Sequence, residues 1–239
     1  MTKRAITKFY HIVSTEPVDD GFTILLDGKP VKTPARAALV VPNRALADAI
    51  AQEWRDQEKT IEPATMPLTG LAYAALDLAP KHRGDIVDHV LGYGRSDLLC
   101  YRAPAKEELG SRQVKVWDPI LHWASDTYDI ILQTGEGVTY IEQPAGTVLA
   151  LEKIVTGFPD FELVALDRAA SLTGSLILAL ALASGRLTAE GAFAAAHVDE
   201  EYQTEKWGRD AAAEARRKSL LAELAASALF LGLTRDRET

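Results

Sequence analysis

The sequence predicts an α+β fold, in which an N-terminal antiparallel β-meander with packed helices precedes a mainly α-helical C-terminal region. Short runs rich in aromatic and β-branched residues, separated by turn formers, occupy the chain up to Val41. Apolar residues at helical spacing begin after Pro42, and from Val148 onward the pattern is almost wholly helical. We expect an N-terminal α+β domain over residues 1–104 and a mainly helical C-terminal domain over residues 105–239.

The meander is predicted to have three short strands. They cover Lys8 to Val13, Phe22 to Leu26 and Leu39 to Val41. Asp27-Gly28 supplies the positive backbone angles that a tight hairpin turn requires. Because proline cannot donate a ladder hydrogen bond, the nearby prolines place the third strand at an edge of the sheet.

The first helix should begin after Asn43, a residue that can cap a helix N-terminus. Leu46, Ile50 and Trp54 then recur four residues apart, which places them on one helical face, and the helix should end near Gln57. We therefore interpret Trp54 as a core residue.

A second helical tract is predicted to begin at Pro67. Pro80 and Gly84 should interrupt it, and Gly92 and Gly94 should end it. These positions carry the residues that most often break a helix.

Two further strands are predicted at Leu98 to Tyr101 and Ile130 to Leu132, with a helix between them that contains Pro119. Beyond them we expect a short helix and then three longer ones. The three cover Phe161 to Ala183, Thr188 to Trp207 and Asp210 to Leu233.

Charge and cysteine content exclude several classes of protein. Acidic residues outnumber basic ones, 34 to 26, and the formal net charge of -8 repels a phosphate backbone, so nucleic acid is not an expected partner. The charge-free stretch from Ala169 to Ala183 is shorter than the roughly 20 residues of a spanning helix. The single cysteine, Cys100, and an N-terminus without an apolar signal region indicate the cytoplasm.

The sequence contains none of the common cofactor motifs. No phosphate loop is present, and Gly92-Tyr93-Gly94 and Gly135-Glu136-Gly137 lack the third glycine of a dinucleotide loop. Asp85 and His89 are one helical turn apart, a spacing that a metal can use but that solvated helix faces show more often. We expect neither cofactor nor metal.

Two residues keep an enzyme in consideration. Cys100 or Ser175, with a spatially adjacent histidine, could serve a small cytoplasmic hydrolase or transferase. The apolar residues around both favour a buried, unreactive thiol and a hydroxyl bonded to its own helix. Catalysis is therefore the alternative interpretation.

Four ordered stretches identify a family. They are Leu25-Leu26-Asp27-Gly28-Lys29-Pro30-Val31-Lys32-Thr33-Pro34; Glu53-Trp54 followed by Pro63-Ala64-Thr65-Met66-Pro67-Leu68-Thr69; Ser96-Asp97-Leu98-Leu99-Cys100-Tyr101-Arg102; and Asp199-Glu200-Glu201-Tyr202-Gln203-Thr204-Glu205-Lys206-Trp207-Gly208. The set resembles the assembly chaperone for the alpha subunit of the ATP synthase catalytic head, called ATP synthase mitochondrial assembly factor 2 in animals.

The resemblance implies a chaperone without ATPase activity, which covers the unassembled alpha subunit transiently until beta subunits join it. It implies no enzymatic activity, no cofactor and no stable membrane insertion, and we expect a monomer. The start of the chain lacks the targeting segment of mitochondrial members, which indicates a bacterial one.

The last stretch supplies the predicted client site. Asp199, Glu200, Glu201 and Glu205 crowd what we take to be the C-terminal end of a helix, where carboxylates oppose the helix dipole. That unfavourable arrangement suggests a partner that brings positive charge. An ordinary solvated helix face is the alternative. The structural residues of the motifs are Asp27, Gly28, Trp54, Trp207 and Gly208.

Overall fold

The computed structural model describes residues 6–208 and 211–235 and confirms the α+β fold class. Its strands are β1 (Ile6–Thr7), β2 (Val13–Val18), β3 (Gly21–Leu26), β4 (Lys29–Pro30), β5 (Val40–Val41), β6 (Thr60–Ile61), β7 (Tyr101–Arg102) and β8 (Gly135–Glu136). Its helices are α1 (Arg44–Arg55), α2 (Pro67–Asp77), α3 (Ala79–Arg95), α4 (Glu108–Tyr128), α5 (Ala145–Thr156), α6 (Asp160–Thr173), α7 (Leu176–Ala183), α8 (Ala189–Ala196), α9 (Val198–Trp207) and α10 (Ala211–Arg235).

The central antiparallel sheet has the order β2-β3-β4, and β5 pairs with the β3 side opposite β2. Asp27 and Gly28 connect β3 to β4 with φ angles of 49° and 76°, which confirms the predicted hairpin turn. The predicted strand over Lys8 to Val13 is wrong, because the carboxylate of Asp27 accepts the N–H groups of His11 and Ile12. These two N–H groups therefore bond to a side chain instead of to a neighbouring strand, and β2 begins only at Val13.

Helix α1 packs on this sheet as predicted. The side chain of Asn43 accepts the N–H of Leu46 at 2.9 Å and caps the helix. Leu46, Ile50 and Trp54 are all buried, and the Tyr10 hydroxyl donates to the carbonyl oxygen of Trp54 at 2.6 Å. The core position of Trp54 is therefore confirmed.

The described residues form two compact units, each assembled from separate parts of the chain. The first contains residues 6–83, 160–165 and 229–235, and the second contains residues 84–159, 166–208 and 211–228. The domain division at residues 104 and 105 stays a prediction.

Two helices predicted as continuous are each divided. Gly174, at a φ of 66°, ends α6, and the Ser175 side chain caps α7 by accepting the N–H of Leu178. A second interruption at His197 separates α8 from α9. Thr188 caps α8 by accepting the N–H of Gly191.

The predicted strands at Leu98 to Tyr101 and Ile130 to Leu132 are also wrong. Leu98–Cys100 forms a 3-10 helix capped by Asp97, and parallel pairing occurs instead between β7 and β8. Ile130 is buried without belonging to a strand.

Gly92 and Gly94 do not end α3, which continues to Arg95. A Cβ atom at Gly94 would lie 2.8 Å from Leu176 Cδ2, so this glycine permits close helix packing rather than a stop. Across residues 6–208 and 211–235, the structure contains no helix long and apolar enough to cross a membrane.

Candidate functional site

Helix α9 carries all four predicted client-binding carboxylates. Because the chain breaks at His197, Asp199, Glu200 and Glu201 lie in the first turn of α9 and not near its C-terminus. Carboxylates in a first turn interact favourably with the helix dipole, so the predicted dipole conflict is wrong for these three residues. It applies only to Glu205, which lies in the last turn.

Asp199 anchors α9 to α4. Its carboxylate accepts the side-chain N–H of Gln113 at 2.7 Å, and the amide oxygen of Gln113 accepts the N–H of Ala103 at 2.7 Å. Gln113 is buried, so both ends of its amide are satisfied inside the second unit. Asp199 thus has a structural partner within the chain.

Glu205 joins a second contact between α9 and α4. Arg112 lies 2.7 Å from Glu205 and 2.9 Å from Glu108, and Lys206 donates to Glu108 at 3.1 Å. The hydrogen bond from Arg112 lowers the pKa of Glu205. The pKa of Glu108 is also lowered, chiefly by the hydrogen bond from Lys206. Both cations also lie 5.1 Å from the ring centre of Tyr202, in cation–π contact.

Glu201 faces the other side and binds α10. Its carboxylate accepts from Arg217 at 2.8 Å, and the guanidinium of Arg217 lies 5.4 Å from the ring centre of Phe193 on α8. One guanidinium nitrogen of Arg217, Nη1, is buried without a hydrogen-bond partner among residues 6–208 and 211–235. Arg217 therefore joins α8, α9 and α10.

Glu200 differs from the other three carboxylates. It is exposed and has no ion pair with any residue in the described ranges. Gln203 and Trp207 follow at helical spacing on the same face, and the Trp207 side chain is 80% exposed. We call Glu200, Gln203 and Trp207 the outward face of α9.

This outward face borders a groove of about 420 Å³ between α9 and α10. The groove is lined by His197, Glu200, Gln203, Thr204, Trp207, Gly208, Ala213, Arg216, Arg217 and Leu220. An exposed tryptophan beside a concave surface is typical of a protein-binding hot spot. The geometry thus selects Glu200 and Trp207 from the predicted motif, and the exposure of Trp207 argues against a purely structural role.

The partners of the motif were not predicted from the sequence. Arg112 and Gln113 lie far before α9 in the chain and Arg217 lies on the next helix, α10, and nothing in their local sequence distinguishes them from other helical polar residues. Only tertiary structure shows that three of the four carboxylates hold α9 in place.

The residues considered for catalysis are buried. Burial raises the pKa of the Cys100 thiol to about 12, and the Ser175 hydroxyl is occupied as a helix cap. His89 Nδ1 lies 2.6 Å from a carboxylate oxygen of Asp167, a residue of another helix. Within the part of the chain that the structure describes, no three His, Cys, Asp or Glu side chains form a metal-binding group.

Comparison with known proteins gives consistent results. The family model for the ATP12 chaperone protein matches residues 7–125. Protein atp12, mitochondrial, of Schizosaccharomyces pombe is 24% identical over 242 residues, which cover 93% of this chain and 81% of that protein.

Two crystal structures match almost the whole chain. Atp12 from Paracoccus denitrificans is 38% identical with a TM-score of 0.90, covering 96% of this chain and 99% of that chain. Atu1473 from Agrobacterium tumefaciens, a putative chaperone, is 41% identical with a TM-score of 0.90, covering 94% of this chain and 84% of that chain. This chain belongs to the ATP12 chaperone family.

Proposed function

We propose that this protein is an ATP-independent assembly chaperone that binds the unassembled alpha subunit of the ATP synthase catalytic head and prevents its aggregation before beta subunits join. Membership of the ATP12 chaperone family over nearly the whole chain supports this proposal. The outward face of α9 supplies a surface on which binding can occur.

In this mechanism the chaperone acts by occupying apolar surface. An unpaired subunit exposes surface that will later be buried, and such surface promotes aggregation. Transient binding lowers the free concentration of the aggregating species by mass action. Trp207 supplies apolar contact area, and Glu200 attracts a basic group at the rim.

The purified protein should suppress aggregation of isolated alpha subunit without added nucleotide. Light scattering at increasing chaperone concentration measures this, with a catalytic-head beta subunit and an unrelated unfolding enzyme as controls. Suppression that requires ATP, or that extends equally to the unrelated enzyme, would contradict specific capping.

Glu200→Lys should weaken binding to alpha subunit about tenfold, because it places positive charge where we propose that a basic client group binds. The fold should persist, since Glu200 is exposed and reversing its charge in the first turn costs only about 0.6–2 kcal/mol of dipole interaction. Calorimetric titration and thermal melting of the same preparation measure both quantities.

The matched control is Asp126→Lys, which makes the same charge change at an exposed position on α4. If Glu200→Lys weakens binding to alpha subunit no more than Asp126→Lys does, Glu200 is not in the client site. A change at Asp199 or Glu201 is less informative, because each has an intramolecular partner.

A further inference from the structure

Among the described residues, helix α1 covers one face of the central sheet, and the other face lines a depression that solvent can enter. Thr15 of β2 contacts Asp48 of α1, and Ile24 and Leu26 of β3 are buried on that side. Side chains alternate along a strand, so the intervening residues point away from α1. We call this second side the outer face of the sheet.

Strand register defines the members of the outer face. Glu16 pairs with Thr23, which in turn pairs with Val40, so these three residues form one row across β2, β3 and β5. Leu25 and Pro30 form the neighbouring row. The two rows place the aliphatic side chains of Val40, Leu25 and Pro30 on the same face of the sheet, with Thr23 buried between them.

This surface is concave. It encloses about 540 Å³ and is lined by Glu16, Val18, Asp19, Asp20, Thr23, Leu25, Gly28, Pro30, Ala38 and Val40. Thr23 uses its hydroxyl internally by donating to the carbonyl oxygen of Leu39 at 3.0 Å. The floor therefore presents aliphatic groups to solvent, with its polar hydroxyl already satisfied.

The rim carries negative charge. Glu16, Asp19 and Asp20 are exposed, and none of them has an ion-pair partner among residues 6–208 and 211–235. They contrast with Glu201 and Glu205 of α9, which are neutralised by Arg217 and Arg112. Uncompensated carboxylates around an apolar depression are complementary to a basic and apolar ligand.

We propose that the outer face of the sheet is a second docking surface, which binds a segment of the client protein that presents an aliphatic side chain beside lysine or arginine. The aliphatic side chain packs against Val18, Leu25 and Val40, and its basic neighbour lies at the carboxylate rim. The identity of the client rests on the proposed function, whereas the chemistry of the ligand rests on the sheet itself.

The surface can be tested with a probe peptide that alternates leucine and lysine. NMR titration of ¹⁵N-labelled protein should shift the amide signals of β2, β3 and β5, whereas a peptide with glutamate in place of lysine should leave them unchanged. The rim variant Glu16→Gln, Asp19→Asn, Asp20→Asn should bind the lysine peptide about tenfold more weakly. Unchanged β2, β3 and β5 signals with the lysine peptide would overturn the proposal.

The control variant Asp126→Asn, Glu142→Gln, Glu152→Gln changes net charge equally at exposed positions elsewhere. It should bind the peptide like the wild type. If both variants bind the peptide equally weakly, the effect comes from net charge alone, and the rim carboxylates do not bind the basic residue. The floor variant Val18→Thr, Val40→Thr keeps the β-branched shapes and should also bind more weakly. Circular dichroism and thermal melting check that each variant is folded.

The same variants separate this surface from the proposed function. If wild-type protein binds alpha subunit and the rim and floor variants bind it equally well, the second docking surface is wrong and the proposed function stands. If wild-type protein does not bind alpha subunit, the proposed function fails and the peptide titration still decides the surface. Concentration-dependent dimerisation that the floor variant abolishes would assign the face to a second copy of this chain instead.

Discussion

Trp54→Arg is expected to abolish the native fold of the first unit. The Trp54 side chain is 7% exposed and packs edge-on against Tyr10, with ring centres 5.7 Å apart. Truncating a buried tryptophan costs about 3–5 kcal/mol, and burying an unpaired guanidinium adds to that cost. The total approaches the whole stability of a typical domain, about 5–15 kcal/mol.

The surroundings of Trp54 make rescue by a new hydrogen bond unfavourable. Its indole Nε1 is already buried without an acceptor, so an arginine side chain would add donors where the described residues leave one donor unsatisfied. Soluble yield and melting temperature should both fall sharply, and chemical denaturation should show little cooperative unfolding.

Trp207→Arg is the matched control, because it makes the same substitution at a tryptophan that is 80% exposed. We expect it to fold normally and to bind alpha subunit weakly. A Trp54→Arg protein with native stability that failed to bind the client would show that Trp54 belongs to the binding surface. Equal destabilisation by both substitutions would mean that arginine is harmful for reasons unrelated to burial.

Local signals explain the parts of the fold that the sequence predicted well. The Asp27-Gly28 turn and the Asn43 cap depend on backbone angles and on bonds within three residues, which the residue types specify directly. Trp54 was assigned correctly because its spacing from Ile50 is a property of one helix.

The helix breaks were missed for two different reasons. Gly174-Ser175 combines a helix stop with an N-cap, a local signal that the surrounding apolar residues obscured. At His197 no glycine or proline marks the end of α8, so the sequence did not show that the carboxylates lie at the start of a new helix, α9. The exposure of these carboxylates depends on contacts with Arg112, Gln113 and Arg217, and sequence patterns do not show which residues of other helices contact α9.

Asp97 provides a buried carboxylate whose role sequence patterns also missed. It is fully buried and accepts the N–H groups of Leu99 and Ile177, each at 3.0 Å. It thus joins the 3-10 helix to the N-terminus of α7. Burial raises its pKa from 3.8 to about 6, because desolvation of the charged form outweighs these hydrogen bonds.

The raised pKa fixes the sign of a pH effect. The folded protein binds this proton more tightly than the unfolded chain, so the stabilising contribution is complete below pH 3.8 and is lost as pH rises through about 6. For an isolated group the difference between the two limits is roughly 3 kcal/mol. Asp97→Asn cannot titrate and should lack this contribution to the pH profile.

We therefore expect wild type to lose roughly 2–2.5 kcal/mol of unfolding free energy relative to Asp97→Asn between about pH 4 and pH 7. Asp97→Asn should also be less stable than wild type at pH 4, because its amide nitrogen faces backbone N–H donors and cannot accept from them. Urea denaturation at several pH values measures both effects, with the exposed change Asp126→Asn as control. Parallel pH profiles for wild type and Asp97→Asn would show that the hydrogen bonds compensate burial and that the pKa of Asp97 is not raised in the folded protein.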